Sequence, residues 1–411
     1  PVVLAVLNGS IHPITAEFVT EALKSAQARK AGLFLLQLST PGGLDQSMRD
    51  IMQAFLASPI PVCVWVAPQG VRAASAGFMI ALSADLVVMA PGTNMGSAHP
   101  VGVGGQGMDE TMKEKVTNDA VAYARSVAEQ RGRPPDLAAE AVSKNRSFTA
   151  SEAVDLGLAD LLVGSIEELQ DGLDGRVIRR NSTHPLTLHL AGAEVVRVEM
   201  SLRQRVLSIL ANPEIAYILL LGGLVGLYFE LSSPGAILPG VAGAISLVMG
   251  MLALQLLPIN YAGLALLGLA VIFFILEFNV VSYGLLTVAG LVTFVLGSLL
   301  LFNGPIPEMR LQLSFVLPVA FVVLGLAGLM TWMVLGAHRG RVHTGPKGLI
   351  SEVGRAMSDL GPGVAGRVFV HGELWWARSG VNVEQGEMVE VVSIDPGLVV
   401  RVRPSQKEKR S

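Results

Sequence analysis

Arg72-Ala73-Ala74-Ser75-Ala76-Gly77, set between the apolar run 62–67 and the helix-like stretch 78–83, is the segment on which the reading of this chain turns. A serine ringed by residues with almost no side chain is a candidate exposed nucleophile. Its small neighbours let backbone and substrate come close, and the N–H groups of a starting helix point at any anion that develops beside the hydroxyl. Small residues at such a turn also let a helix pack tightly on a sheet, so the motif by itself leaves a packing role open.

A second segment of the same kind lies upstream. Leu33-Phe34-Leu35-Leu36-Gln37-Leu38-Ser39 runs into Thr40-Pro41-Gly42-Gly43, which reads as a buried strand opening into a loop and then a helix over 44–57. A glycine loop at the end of one strand and a serine at the end of the next are the two halves of an acyl-transfer site, oxyanion donors and nucleophile. Downstream, Ala84-Asp85-Leu86-Val87-Val88-Met89-Ala90-Pro91-Gly92-Thr93 is again strand then turn. Phe148-Thr149-Ala150-Ser151-Glu152-Ala153-Val154-Asp155-Leu156-Gly157-Leu158-Ala159-Asp160 completes the set of four spaced motifs.

These segments resemble the Clp protease/crotonase superfamily and, within it, the NfeD family of membrane-bound serine proteases, whose catalytic domain is similar to signal peptide peptidase A. The resemblance covers essentially the whole chain. It implies an α/β Clp/crotonase-like protease domain, an all-α transmembrane bundle and a small all-β, OB-like barrel at the C-terminus. It also implies a Ser-Lys dyad, with Ser75 as nucleophile, the N–H groups of Gly43 and Ala76 as oxyanion hole and Lys115 as general base.

A lysine accepts a proton from serine only when neutral, which requires burial. Lys115 lies in Met112-Lys113-Glu114-Lys115-Val116-Thr117-Asn118, at the start of a helix running to about Glu129 whose inward stripe is expected to be Met112, Val116, Ala120, Tyr123 and Val127. Periodicity sets Lys113 and Lys115 on opposite flanks of that stripe and does not choose between them. The family pattern does, because its lysine precedes an asparagine by three, as Lys115 precedes Asn118. His99, in Gly96-Ser97-Ala98-His99-Pro100 and 24 residues after Ser75, is the alternative base. The Clp proteolytic subunit carries its histidine at a comparable spacing, and a histidine works near neutral pH without a large shift.

Composition frames the rest. Of 411 residues, 51% are hydrophobic and 15% charged, too apolar for an ordinary soluble protein and enough chain for two or three domains. Between Glu214 and His338 the only Asp, Glu, Lys or Arg residues are Glu230, Glu277, Glu308 and Arg310. Apolar runs at 215–229, 237–257, 262–278, 281–302 and 313–335 are separated by Pro-, Gly- and Asn-containing breaks. The second, fourth and fifth reach the roughly 20 residues a spanning helix needs. The first has 15 and reads as a span or a re-entrant segment, so four or five spans are expected, with five the working number. Glu230 and Gly243 recur as Glu277 and Gly290, both shifted by 47, and Val241-Ala242-Gly243 recurs as Val288-Ala289-Gly290. Two related hairpins are expected, each with its glutamate at the membrane interface rather than serving as an intramembrane functional carboxylate.

The expected partition is a protease domain at 1–205, a membrane domain at 206–337 and a C-terminal module at 341–411. Basic residues Arg339, Arg341 and Lys347 follow the last run and favour the cytoplasm for the module. Five spans then put the protease domain outside a prokaryotic cytoplasmic membrane, although Arg203 and Arg205 before the first run argue mildly against it. A chain beginning at Pro1 fits removal of a signal peptide and equally an edited sequence. The single cysteine, Cys63, excludes an intrachain disulfide and argues against a cysteine-based metal site. No cofactor or metal is expected.

The segment from about Gly345 to Pro404 alternates short apolar strands with Gly, Pro and Asp breaks, the pattern of a small β-barrel. Trp375, Trp376 and Arg378 would be its stacking surface for nucleic acid, but it lacks a basic excess, so a core or protein-docking role is expected and no nucleic-acid partner. The functional expectation is a membrane-anchored serine endopeptidase, and a homo-oligomer, that cleaves hydrophobic segments of membrane-associated proteins. The resemblance further implies a stomatin/flotillin-like (SPFH) partner in membrane quality control. The alternatives are a catalytically silent membrane scaffold organising SPFH-type proteins and a Ser-His peptidase using His99. The presence of Ser75, the Pro-Gly-Gly loop and Lys115 together favours the peptidase, because a scaffold has no chemical need of the set.

Overall fold

Continuous apolar runs, unlike alternating ones, mark strands buried on both faces, and the first third of the chain is built from them. The structure is a computed structural model that describes residues 1–101, 110–178, 180, 185–232, 237–280, 282, 284–339 and 346–405. The chain runs through β1 (Val2–Asn8), α1 (Pro13–Ala28), β2 (Leu33–Ser39), α2 (Asp45–Leu56), β3 (Val62–Val66), β4 (Arg72–Ala74), α3 (Ala76–Ser83), β5 (Leu86–Met89) and β6 (Asn94–Gly96). Then follow α4 (Glu110–Gln130), α5 (Pro135–Ser143), β7 (Ser147–Thr149), α6 (Ala150–Asp155), β8 (Leu161–Leu162), α7 (Ile166–Leu173), β9 (Val177–Ile178), β10 (Leu186–Thr187), β11 (Val195–Val198) and α8 (Leu202–Leu210).

Strands β11, β1, β2, β3, β5 and β8 lie side by side in that order, all parallel. Alternate residues feed opposite faces: Val3, Leu36, Val64 and Val87 join a core with Met48, Ile51 and Phe78 of α2 and α3. Val2, Leu35, Cys63 and Val88 join a second core with Leu169 and Leu173 of α7. A separate sheet, β4-β6-β7, stands beside the main one. This is the Clp/crotonase-like α/β domain that the motifs implied.

Two carboxylates hold the amino ends of the central strands. Asp85, its side chain 1% exposed, accepts a hydrogen bond from the Val62 N–H (2.9 Å) and pairs with Arg131 and Arg180. Asp160 accepts from the Val87 N–H (2.8 Å) and pairs with Arg133 and Arg176 at 2.9 and 2.6 Å. Strand N–H groups that would otherwise be buried unpaired are thereby satisfied. Burial pulls the Arg131 guanidinium below its ordinary value, against the opposing effect of Asp85.

The apolar runs are helical: α9 (Pro213–Ser232), α10 (Ile237–Leu256), α11 (Tyr261–Asn279), α12 (Leu285–Leu301) and α13 (Leu313–Arg339), with a 3-10 turn at Pro307–Met309. Their lengths correct the sequence reading. The first run, expected to be the shortest, belongs to a helix of 20 residues. It starts early because Asn212 Oδ1 accepts from the Glu214 and Ile215 N–H groups (2.9 and 3.2 Å) and Pro213 tolerates the first helical position. The fourth run gives only 17 helical residues, because the helix begins after Gly284, held at φ +90°; Val281 lies outside the described residues. By length and composition, Pro213–Leu231, Ile237–Leu256 and Pro307–Leu326 can cross a membrane, while Tyr261–Glu277 and Leu285–Leu301 are shorter.

Helix α9 packs on α10 and α11 on α12, so the 47-residue repeat is a pair of hairpins. Glu277 accepts from the N–H groups of Gly284 (3.1 Å) and Thr287 (3.0 Å) and from the Ser282 hydroxyl. A carboxylate at a helix N-terminus is stabilised by the unpaired N–H groups there, which explains a glutamate at the edge of an apolar run. The protease-like part, α9 to α12 and the first half of α13 fall in one compact unit, Pro1–Gly325.

In the other unit, Leu326–Ser411, β12 (Val353–Ala356), β13 (Ala365–Val370), β14 (Glu373–Ser379), β15 (Met388–Asp395) and β16 (Val399–Pro404) close into a barrel in the order β12-β13-β14-β16-β15. This is the small OB-like barrel expected. Val368, Ala377, Val391 and Val400 fill it. Trp375 packs against that core, whereas Trp376 is 55% exposed under the Arg367 guanidinium. Strand alternation sends the two rings to different faces, so they do not make one stacking surface.

Candidate active site

Strand β4 ends and α3 begins at Ser75, whose backbone sits at φ 54°, ψ −115°. Holding a non-glycine residue there costs about 1–3 kcal/mol. The conformation is secured by the Ser75 N–H, which donates to Gly96 O (2.9 Å), and by the Ser75 carbonyl, which accepts from the Phe78 N–H (3.1 Å). The hydroxyl does not cap α3 and stays available to a ligand.

The glycine loop is stitched to the same place. Thr40 donates its N–H to Arg72 O (2.8 Å) and accepts from the Ala74 N–H (3.0 Å), which ties the end of β2 to β4. Gly42 sits at φ +123°, and a Cβ on it would lie 2.8 Å from Ser75 Cβ. A Cβ on Gly43 would meet Ile11 O at 2.1 Å. Only glycine fits at either position. On both sides of Gly43 the backbone is committed, Ile11 N–H to Gly42 O and Leu44 N–H to Ile11 O, each at 2.8 Å. Among the described residues the N–H groups of Gly43 and Ala76 have no hydrogen-bond partner; that of Ala76 is one of the free donors of a helix start.

Ser75, Gly43, Ala76 and His99 line one cleft of about 310 Å³, together with Met79, Val116, Asp119, Tyr123 and Pro305. His99 Nδ1 lies 3.0 Å from Val142 O. A neutral imidazole that donates through Nδ1 keeps Nε2 as a proton acceptor. On the rim, Arg49 pairs with Asp45 (2.8 Å) and Asp119 (3.1 Å) and lies over the Tyr123 ring at 4.8 Å. Burial lowers the Arg49 pKa, the two carboxylates raise it, and the net shift is upward; burial pushes the Tyr123 phenol up.

Lys115 is not brought into this cleft. It is exposed on α4, although Val116 and Asp119 of the same helix line the wall. The expected inward stripe is corrected too. Val127 is buried, and Ala120 and Tyr123 are partly covered, but Met112 and Val116 are 50% and 36% exposed. The second half of α4 packs on the core through Ala124, Val127 and Ala128, whereas residues 110–116 are exposed. Sequence reasoning also missed Arg49 and Pro305, and gave Tyr123 only a packing place on the inward stripe. Arg49 and Tyr123 carry no motif, and Pro305 comes from a break between membrane helices that nothing in the sequence connects to Ser75.

Three segments of the chain match family models: residues 2–175 the NfeD1b N-terminal domain, 214–333 the NfeD integral membrane domain, and 346–404 the NfeD-like C-terminal, partner-binding domain. The chain is 34% identical over 423 residues to the membrane-bound protease PH1510 of Pyrococcus horikoshii, an alignment spanning 99% of this chain and 94% of that protein. It is 32% identical over 248 residues to the membrane protein NfeD1b of Bacillus subtilis, spanning 57% of this chain and 52% of that one. A solved structure, described as a lysine-to-alanine variant of a membrane-bound stomatin-specific protease in complex with a substrate peptide, is 30% identical with a TM-score of 0.47, covering 51% of this chain and 96% of its own. Three domain matches in sequence order and a relative aligned over nearly its whole length make this chain a membrane protease belonging to the NfeD family.

Proposed function

We propose that the chain is a serine endopeptidase cleaving apolar segments of membrane-associated proteins. The observation that carries this reading is the convergence of an uncommitted serine hydroxyl and two unpartnered N–H groups on one cleft. Ser75 Oγ attacks the scissile carbonyl carbon, the carbonyl oxygen takes up negative charge, and the N–H groups of Gly43 and Ala76 donate to it. The base receives the serine proton and delivers it to the leaving amine; water then attacks the acyl-enzyme along the same route in reverse.

Lys115 is the proposed base. Packing of a second copy against the exposed start of α4, where Lys115 lies, would order that turn and bring Lys115 toward Ser75. A homo-oligomer is therefore part of the proposal. A second reading is favoured by one observation: His99 already lines the cleft, with Nδ1 engaged by Val142 O. Single alanine variants separate the two. With Lys115 as base, Lys115→Ala loses about 10²–10⁴-fold in kcat while His99→Ala stays within about tenfold of wild type. The reverse pattern transfers the role to His99, and near-normal rates in both sink both assignments.

The match to a partner-binding domain at 346–404 supports a protein partner for the barrel, proposed to be a stomatin-like SPFH protein. We also propose five spans with the protease domain outside and the barrel in the cytoplasm, on the basic flank Arg339, Arg341 and Lys347. The Arg72–Glu308 ion pair (3.3 Å) supports five over four. After four crossings the segment between α12 and α13 returns to the protease side, whereas a re-entrant α9 would leave it on the far side. Protease protection on sealed vesicles should digest one soluble domain and spare the other; both domains sharing one fate would refute this topology.

A further inference from the structure

The connection between α12 and α13, residues 302–312, is a built element and touches the cleft. Phe302 and Met309 are 1% exposed, Ile306 7% and Leu311 4%. The Asn303 N–H donates to Pro258 O (2.9 Å), the Met309 N–H to Ile306 O (3.0 Å) and Arg310 Nε to Gly304 O (2.6 Å). Three contacts join this element to the chemistry. Pro305 lines the cleft with Ser75 and Gly43. Leu44, the residue after Gly43, packs on the apolar cluster that contains Ile306, Met309 and Leu311. Glu308 pairs with Arg72, three residues before Ser75, whose own carbonyl holds the Thr40 N–H (2.8 Å).

We infer that this membrane-domain loop is a wall of the substrate cleft and sets its specificity, admitting an extended apolar segment that enters along the membrane surface, with Arg72–Glu308 as the latch that holds the wall in register. The inference rests on the serine-peptidase reading of Ser75. An α/β domain alone supplies the nucleophile and oxyanion donors but leaves the Pro305 side of the cleft open. Pro305 adds a rigid apolar surface to a cleft that Val116 and Tyr123 of α4 also line, so a peptide side chain held there meets carbon from both the loop and α4. Because the loop is anchored in the ends of two apolar helices, the cleft it bounds lies where those helices leave the bilayer.

The test uses the full chain in detergent micelles and two readouts, kcat/KM for a fluorogenic apolar decapeptide and the rate at which a small fluorophosphonate labels Ser75. Pro305→Trp narrows the cleft from the loop side without touching the Ser75 backbone bonds or the Gly42-Gly43 loop. It is expected to cut peptide kcat/KM about tenfold or more, through KM, because the indole fills space that a bound segment needs and weakens ground-state and transition-state binding alike. Labelling by the small probe should stay within about twofold of wild type. Arg72→Glu and Glu308→Arg are each expected to lower peptide kcat/KM about two- to fivefold, the scale of a half-exposed ion pair, and the double exchange to restore it. A Pro305→Trp chain that cleaves the peptide normally, or that loses peptide and probe reactivity together, overturns the inference, as does failure of the double exchange to recover. Wild-type protein that neither labels nor cleaves would instead reject the serine-peptidase reading itself.

Discussion

Replacing Ser75 by alanine is expected to lower peptide cleavage by at least about 10³-fold, leaving only the contribution of binding and the oxyanion donors. The chain should remain folded. Ser75 is held by its backbone, through Gly96 O and the Phe78 N–H, and its hydroxyl contributes no cap to α3. Alanine accepts the same strained φ no better than serine, so stability should change little. Ser75→Gly, by contrast, should relieve strain and stabilise by about 1 kcal/mol while being equally inactive. Activity and stability are thus expected to move independently at this one position. Cleavage of an apolar peptide by the alanine variant at the wild-type rate, with contaminating proteases excluded, would end the nucleophile assignment.

The largest effect on stability is expected at Asp85. Its carboxylate is buried against Arg131, whose side chain is 5% exposed, and Arg180, and it also accepts from the first N–H of β3. Asp85→Ala leaves the Arg131 charge uncompensated in a site that already pulls its pKa down by burial. Breaking one partner of such a pair costs about 3–5 kcal/mol. Cys63 offers the readout. It is the chain's single cysteine, buried in β3, with its thiol pKa pushed well above the ordinary value chiefly by burial. A thiol reagent therefore reports opening of the central sheet. The labelling midpoint of Asp85→Ala should fall by about 1 M urea or more. A midpoint within about 0.2 M of wild type would mean that the Asp85 pairs are dispensable.

Local sequence determined much of this protein because much of it depends on short-range physics. Runs such as Leu33–Ser39 and Leu86–Met89, closed by Gly- and Pro-containing turns, read as buried strands, and the C-terminal barrel was legible as such because alternation and Gly or Pro breaks are local signals. The membrane segment declared itself by a near absence of charge. Ser75 and the Gly42-Gly43 loop were legible as a site because a backbone that must approach another backbone tolerates no side chain, and that constraint is written directly into residue type.

What the fold alone decided involves residues distant in the chain. That Asp85 and Asp160 anchor β3 and β5 follows from arginines at 131, 180, 133 and 176, which no spacing rule links to them. That α9 is full length follows from the Asn212 cap and Pro213, outside the apolar run that hydropathy counts. Helical periodicity gave Lys115 a flank and α4 an inward stripe, but periodicity describes one helix and says nothing of whether a neighbour covers it; residues 110–116 of α4 are exposed. Pro305 and Glu308 reach the Ser75 region only because four helices bring their loop back beside β4. A contact across more than two hundred residues costs the sequence no recognisable pattern, since any proline or glutamate at the right place in space will serve, and only the tertiary structure decides which one stands there.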